Sequence, residues 1–138
     1  MSWDPAGVNW LGVVVAAGVG LLAGFIWLAP PIFGRRWENV TGTQLPHIGT
    51  GLAPATVLLS IATVLVTAWA LALLATAIGL HSAADGAILG FVAWLGFFLT
   101  ATTNGVIFER RTGAYWLLSG GFGLVTLLPM GAVVGYFA

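Results

Sequence analysis

Long apolar stretches separated by small groups of charged residues dominate the pattern of this chain. Charges occur only at Asp4, at 35–38, at Asp85 and at 109–111. Each charge-free stretch that lies between or after these groups is at least about 20 residues long, which is the length a helix needs to cross a hydrocarbon core of roughly 30 Å. The stretch between residues 38 and 85 is long enough for one span and an uncharged loop.

This pattern predicts an all-α polytopic membrane protein, with four transmembrane helices in a bundle that forms a single domain. The helices are expected at residues 8–29, 53–79, 84–108 and 113–137. At about 1.5 Å per residue, each of them can span the hydrocarbon core. Composition agrees, because the chain is 59% hydrophobic and only 6% charged, whereas soluble domains carry roughly 25% charged residues.

The four arginines predict how the helices are oriented. Arg35 and Arg36 fall in the loop between the first and second predicted helices, and Arg110 and Arg111 fall between the third and fourth. The remaining loop and both tails contain no Lys or Arg. Because basic loops stay in the cytoplasm, we expect both arginine-bearing loops inside and both termini outside, in the cytoplasmic (inner) membrane of the cell.

Small residues at regular spacing predict the faces through which the helices pack. Lipid provides no hydrophobic drive for helix association, so close approach at small side chains becomes the main packing signal. The fourth helix has Gly131 and Gly135 as a G-x-x-x-G pair. The first helix has a stripe at every fourth residue, formed by Gly12, Ala16, Gly20 and Gly24.

The second predicted helix has a stripe of hydroxyl side chains instead. Its members share one helix face and are Thr56, Ser60, Thr63 and Thr67. Two interpretations are open. The hydroxyls could bond between helices or to carbonyls of their own helix, or they could form a weakly polar lining for a permeation path.

Most of the polar side chains lie on the predicted cytoplasmic side. The candidate cluster comprises Arg35, Arg36, Glu38, Asn104, Glu109, Arg110 and Arg111. We expect Asn104 to lie within the hydrocarbon and to need hydrogen-bond partners, and Glu109 to pair with Arg35 or Arg36. The cluster is either a structural network that closes the bundle or a site for a lipid or metabolite that carries a phosphate or carboxylate.

No set of residues indicates catalysis, a metal or a cofactor. The chain has no cysteine, and its histidines, His47 and His81, are predicted on opposite sides of the membrane. Ser82, followed by Asp85, is typical of an N-terminal helix cap rather than of a catalytic pair. A net charge of zero argues against nucleic acid as a partner.

Several motifs resemble a family of small bacterial membrane proteins that is catalogued as a domain of unknown function. The motifs are Asn9-Trp10, the segment Trp27-x-x-Pro30-x-x-Phe33-Gly34-x-x-Trp37, the threonine-rich stretch that leads from Thr100 to Asn104 and Phe108-Glu109, and Met130-Gly131. The resemblance covers nearly the whole chain. It implies the four-helix architecture and brings no activity, substrate or cofactor.

Two functions follow as hypotheses. The first is a non-enzymatic scaffold or accessory subunit, in contact with membrane lipids, that packs against itself as a homo-oligomer or against a larger membrane-protein complex. The alternative is a small oligomeric transporter or channel for a small solute or ion, with the hydroxyl stripe as its lining.

Overall fold

The computed structural model describes residues 3–42 and 54–138, and these form helices without any strand. The helices are α1 (Trp10–Trp27), α2 (Arg35–Thr41), α3 (Pro54–Ala77), α4 (Ala83–Ala93), α5 (Leu99–Glu109) and α6 (Gly113–Phe137). A π-helical turn, Pro30–Gly34, leads into α2, and a second one, Trp94–Phe98, joins α4 to α5.

Four of the helical segments in the described ranges are long and apolar enough to cross a membrane. They are α1, α3, the continuous segment Ala83–Glu109 that contains α4 and α5, and α6. The prediction of an all-helical chain with four candidate membrane-spanning helices is therefore confirmed. α3 begins at Pro54, where a missing N–H matters least because the first helical N–H groups lack a partner within the helix.

The first pair of arginines was expected in the loop between the first two spans, and the structure places it in the short helix α2 of this connection. After the prolines, the Gly34 N–H donates to the Ala29 carbonyl at 3.0 Å, and this bond returns the backbone to a helical conformation. α2 then packs beside α6, with the rings of Trp37 and Tyr115 stacked at 5.6 Å between centroids. The rest of the predicted loop, residues 43–53, lies outside the described residues.

The closest helix contact in the described part of the chain joins α4 to α6 through four glycines. A Cβ on Gly86 would overlap the carbonyl oxygen of Gly131, and a Cβ on Gly131 would overlap the carbonyl oxygen of Gly86. Gly90 and Gly135 are equally close to the facing backbone. Since no other residue lacks a Cβ, the two backbones can approach this closely only at glycine.

α1 packs on α6 through the stripe of small residues. Gly12 lies against Phe137, Gly20 against Met130 and Gly24 against Phe122. The contacts run in opposite order along the two chains, so α1 and α6 are antiparallel. Met130 is 1% exposed, because its side chain fills the space that Gly20 leaves free.

α3 packs against the bundle only from Val64 onward. Its buried residues are Ala68, Leu71, Ala72, Ala75 and Ala77, and this face lies against α1. Every residue from Pro54 to Thr63 is exposed. The first ten residues of α3 are therefore largely uncovered by the other described helices.

The two ends of the bundle differ in charge. One end, which we call the arginine end, carries Arg35, Arg36, Arg110 and Arg111. The other, which we call the aspartate end, carries Asp4 and Asp85 and no Lys or Arg.

Hydrogen bonds between segments hold the aspartate end together. The Asn9 side-chain amide donates to the Phe137 carbonyl at 3.0 Å, and the Trp69 indole donates to the Pro5 carbonyl at 3.0 Å. The predicted cap is confirmed, because the Ser82 hydroxyl accepts from the Asp85 N–H at 3.1 Å.

We expect Gly86→Ala and Gly131→Ala each to lower the free energy of unfolding by about 1–3 kcal/mol, because the added methyl group must push α4 and α6 apart. The measurement is SDS-induced unfolding in detergent micelles, followed by tryptophan fluorescence. Gly18→Ala is the matched control, since a Cβ at Gly18 meets no atom within 4 Å. An equal loss of stability in Gly18→Ala would contradict the assignment of the α4–α6 contact.

Candidate functional site

At the π-helical turn Trp94–Phe98, the contact between the segment Ala83–Glu109 and α6 changes from small to larger residues. Here the Leu99 N–H donates to the Trp94 carbonyl, five residues earlier, and the helix thereby accommodates one extra residue. Before the turn, glycine meets glycine. After it, larger side chains fill the interface, because Phe98 lies against Gly123 and Leu99 against Gly120.

Three tryptophan side chains converge beside this turn, and each has its indole N–H bonded to the protein. Trp94 donates to the Gly120 carbonyl at 2.7 Å, and Trp27 donates to the Leu118 carbonyl at 3.1 Å. Trp116 donates at 2.8 Å to the hydroxyl of Thr103. These bonds fix the orientation of all three rings.

The three rings line a cavity of about 450 Å³, which we call the tryptophan cavity. Trp27 is also packed against Phe33, at 4.3 Å between ring centroids. The cavity is partly open, and its walls are almost entirely apolar. It is lined by Trp27, Phe33, Arg36, Trp94, Leu99, Ala114, Trp116, Leu117, Leu118, Gly120 and Gly121.

Arg36 is the one charged side chain among those that line the tryptophan cavity. It makes no ion pair with a carboxylate of the described residues. Along α6 the cavity runs from Ala114 to Gly121, a distance of about 10 Å at 1.5 Å per residue. It therefore extends from the arginine end into the apolar part of the bundle.

The predicted polar cluster divides into separate groups. Glu109, Arg110 and Arg111 lie together at the turn between α5 and α6, where they help to line an open groove of about 560 Å³ with Tyr115. Arg36 belongs to the tryptophan cavity instead.

The expected pairing of Glu109 with Arg35 or Arg36 was wrong. The structure pairs Glu109 with Arg111, at 3.6 Å between Oε2 and Nε. Arg110 ends α5 in a left-handed conformation, and this turn brings the next residue back beside the glutamate. Because both partners are exposed, the pair stabilises the fold by about 1 kcal/mol at most. The Arg111 guanidinium also lies 5.0 Å from the Tyr115 ring centroid.

Asn104 lacks, among the described residues, the hydrogen-bond partners that were expected for it. Its side chain is exposed and makes no hydrogen bond to a described residue. The reason is the helix face, since Ile107 and Phe108, which follow it on α5, are exposed as well. Arg35 is also exposed, Glu38 lies half-buried in α2, and His47 lies outside the described residues.

The small-residue faces and the hydroxyl stripe, all predicted to pack, differ in how deeply they are buried. The small residues of α1 and the Gly131–Gly135 pair of α6 are buried between helices. Thr56, Ser60 and Thr63 are exposed, and Thr67 is half-buried. Ser60, Thr63 and Thr67 donate to carbonyls of their own helix at 2.8, 2.9 and 3.0 Å, so the hydroxyl stripe makes no contact between helices through these bonds.

In the described ranges, no three His, Asp or Glu side chains lie close enough together to hold a metal ion. The charged residues are confined to the two ends of the bundle, and the tryptophan cavity contains a single one of them. The arrangement of this cavity is suited to binding rather than to acid–base chemistry.

Comparison with protein families gives a match over most of the chain. The sequence model of a family described as "Protein of unknown function (DUF1761)" matches residues 11–135. The chain belongs to the DUF1761 family. The resemblance to a family of unknown function is thus confirmed. No curated protein and no solved structure matches this DUF1761 chain.

The tryptophan cavity was not predicted from the sequence of this DUF1761 protein. Trp27 and Trp116 are at positions expected for an interfacial aromatic belt, and Trp94 is at one expected for packing or lipid contact. Nothing in the one-dimensional pattern shows that the three rings meet. The glycine contact on α4 could have been predicted, because Gly86 and Gly90 form a G-x-x-x-G pair in the sequence.

We expect Trp94→Phe to lower the free energy of unfolding by about 1 kcal/mol or more, because it removes the bond to Gly120 and part of a packed ring. Trp10→Phe is the control, since Trp10 is 53% exposed and its indole bonds to no described residue. The measurement is the SDS midpoint of each variant in the same detergent. Equal midpoints for the two variants would show that the indole bond of Trp94 contributes nothing.

Proposed function

We propose that this DUF1761 protein is a non-enzymatic subunit of the cytoplasmic membrane that associates with a second copy of itself through the exposed half of α3. The arginine end faces the cytoplasm in this proposal, as basic residues at a membrane surface do. The observation that carries the proposal is the hydroxyl stripe, which lies on a face of α3 that is largely uncovered by the other described helices.

The stripe and the packing face of α3 are distinct. Residues advance by about 100° along a helix, so the hydroxyl stripe is centred roughly a quarter turn away from the face that contacts α1. A partner helix can therefore cover the stripe without displacing α1. Exposed leucines on the same helix, such as Leu58 and Leu59 at 66% each, are compatible with surrounding lipid, whereas a line of small polar side chains is typical of a helix interface.

The spacing of the hydroxyl residues favours an identical helix as the partner. Steps of four, three and four residues follow the seven-residue repeat of helices that pack with a left-handed crossing near 20°. Small side chains permit close approach. Ser60, Thr63 and Thr67 already donate to carbonyls of their own helix, so these three hydroxyl donors keep their partners when the stripe is buried. Two copies with the same topology would pair symmetrically around a two-fold axis.

A cysteine scan tests this interface sharply, since the natural chain contains no cysteine and each introduced thiol is unique. Single substitutions Thr56→Cys, Ser60→Cys, Thr63→Cys and Thr67→Cys would be oxidised in native membranes. We expect several-fold more disulfide-linked dimer at these positions than at Leu58→Cys and Leu65→Cys. The two leucines are exposed controls that lie roughly half a turn from the stripe.

Uniform cross-linking at all six positions, or none at any of them, would contradict the interface. The same variants separate the alternative of a small oligomeric transporter or channel. If the stripe lined a path, its cysteines would react with a charged, membrane-impermeant thiol reagent, and the leucine positions would not. At a packed interface, the thiols of the stripe stay protected from that reagent.

A further inference from the structure

We propose that the tryptophan cavity binds an anionic phospholipid, with an acyl chain against the indole rings and the phosphate on Arg36. The inference requires that the four helices span a membrane. It does not depend on association through α3, because every lining residue comes from α1, α2, α5, α6 or the two π-helical turns of one chain.

The walls of the cavity select an apolar occupant. An indole has one N–H and no acceptor, and the N–H groups of Trp27, Trp94 and Trp116 are all bonded to protein oxygens. The three rings therefore offer their apolar surfaces and no free donor. A polar ligand would lose its water in this part of the cavity without gaining hydrogen bonds from the rings, which is costly, whereas a hydrocarbon chain has no such bonds to lose.

The size and position of the cavity match one acyl chain. Its volume of about 450 Å³ lies within the roughly 300–1,000 Å³ of small-molecule sites. It is partly open, and it follows α6 inward from the arginine end. Lipid can therefore enter from the side while its headgroup stays at the membrane surface.

The rim of the cavity selects an anionic headgroup. Arg36 presents a guanidinium, which can bind phosphate oxygens in a bidentate manner, and no carboxylate of the described residues occupies it. Four arginines and only two glutamates lie at this end. The local electrostatic field therefore disfavours the choline cation of a zwitterionic headgroup and favours a headgroup with a net negative charge.

The fold holds the cavity in shape before any ligand binds. Trp27 packs on the backbone of α6 at Gly121, where a Cβ would meet the indole ring. The π-helical turn sets the position of Trp94, and such turns inside α-helices are frequent at functional sites. Because the rings are already ordered, a lipid that binds has little protein entropy to overcome.

The test is lipid binding to delipidated protein in detergent, measured per monomer by native mass spectrometry. Phosphatidylglycerol and phosphatidylcholine with the same acyl chains are titrated separately. We expect phosphatidylglycerol to bind at least several-fold more tightly. Arg36→Gln should weaken its binding about tenfold, as the loss of a hydrogen bond to a charged group does. Arg35→Gln removes the same charge from the preceding residue, which does not line the cavity. Because salt screens the attraction between an exposed arginine and the lipid, we expect this variant to change the affinity by less than about twofold.

A second pair of variants tests the apolar part of the cavity. Ala114→Trp places a large ring at the cavity wall from an exposed position, so we expect the fold to persist and the bound lipid to be lost. Ala84→Trp, at an exposed position of the aspartate end, is the control and should leave binding unchanged. Soluble glycerol phosphate, which carries the headgroup chemistry without chains, should not displace the lipid.

Four results would overturn the proposal. Equal affinities for the two lipids would exclude selection by charge, and equal losses in Arg36→Gln and Arg35→Gln would show a diffuse surface effect instead of a site. Unchanged binding in Ala114→Trp, or displacement by glycerol phosphate, would show that the tryptophan cavity does not hold the chain. Each result is independent of whether the cysteine scan detects a dimer.

Discussion

The backbone contact between α4 and α6 is the constraint on which the other features of the structure depend. Lipid does not drive helices together, so a membrane bundle needs surfaces that fit closely. Gly86 and Gly90 provide such a surface on one helix, and Gly131 and Gly135 provide it on the other. α6 then serves as the support for the remaining helices, because every other described helix contacts it.

The contact also explains why the bundle is closed at one end and more open at the other. Near the aspartate end, glycine meets glycine, and hydrogen bonds from Asn9 and Trp69 tie neighbouring segments together. Beyond the π-helical turn, the third span meets α6 through Phe98 and Leu99. The larger side chains and the extra residue of the turn leave space between the helices, and three indole rings and Arg36 surround that space.

The four candidate membrane-spanning helices could be predicted from the sequence, because they are defined by length and by the absence of charge, which are local properties. The first helix was expected at 8–29 and is found at Trp10–Trp27, and the last was expected and found at 113–137. The α1 stripe and the Gly131–Gly135 pair were recognised as small-residue faces, and both are buried.

The candidate site could not be predicted in the same way, because it depends on where different helices meet. Trp27, Trp94 and Trp116 are far apart in the chain, and hydropathy does not show which rings converge. The ion pair of Glu109 could not be predicted from the positions of the charged residues either. Glu109 pairs with Arg111, because a left-handed residue at Arg110 reverses the chain, and one-dimensional spacing does not reveal such a reversal.

A double-mutant cycle shows whether Gly86 and Gly131 share one contact. The free energies of unfolding of Gly86→Ala, Gly131→Ala and the double variant would be compared in one detergent. Once the first methyl group has separated α4 and α6, the second has less left to disrupt. We therefore expect the double variant to lose less stability than the two single losses added together, by about 0.5–3 kcal/mol. Gly12→Ala, at the α1–α6 contact with Phe137, should add independently to Gly86→Ala. Strict additivity of Gly86→Ala and Gly131→Ala would contradict the account, because residues that do not share a contact behave in that way.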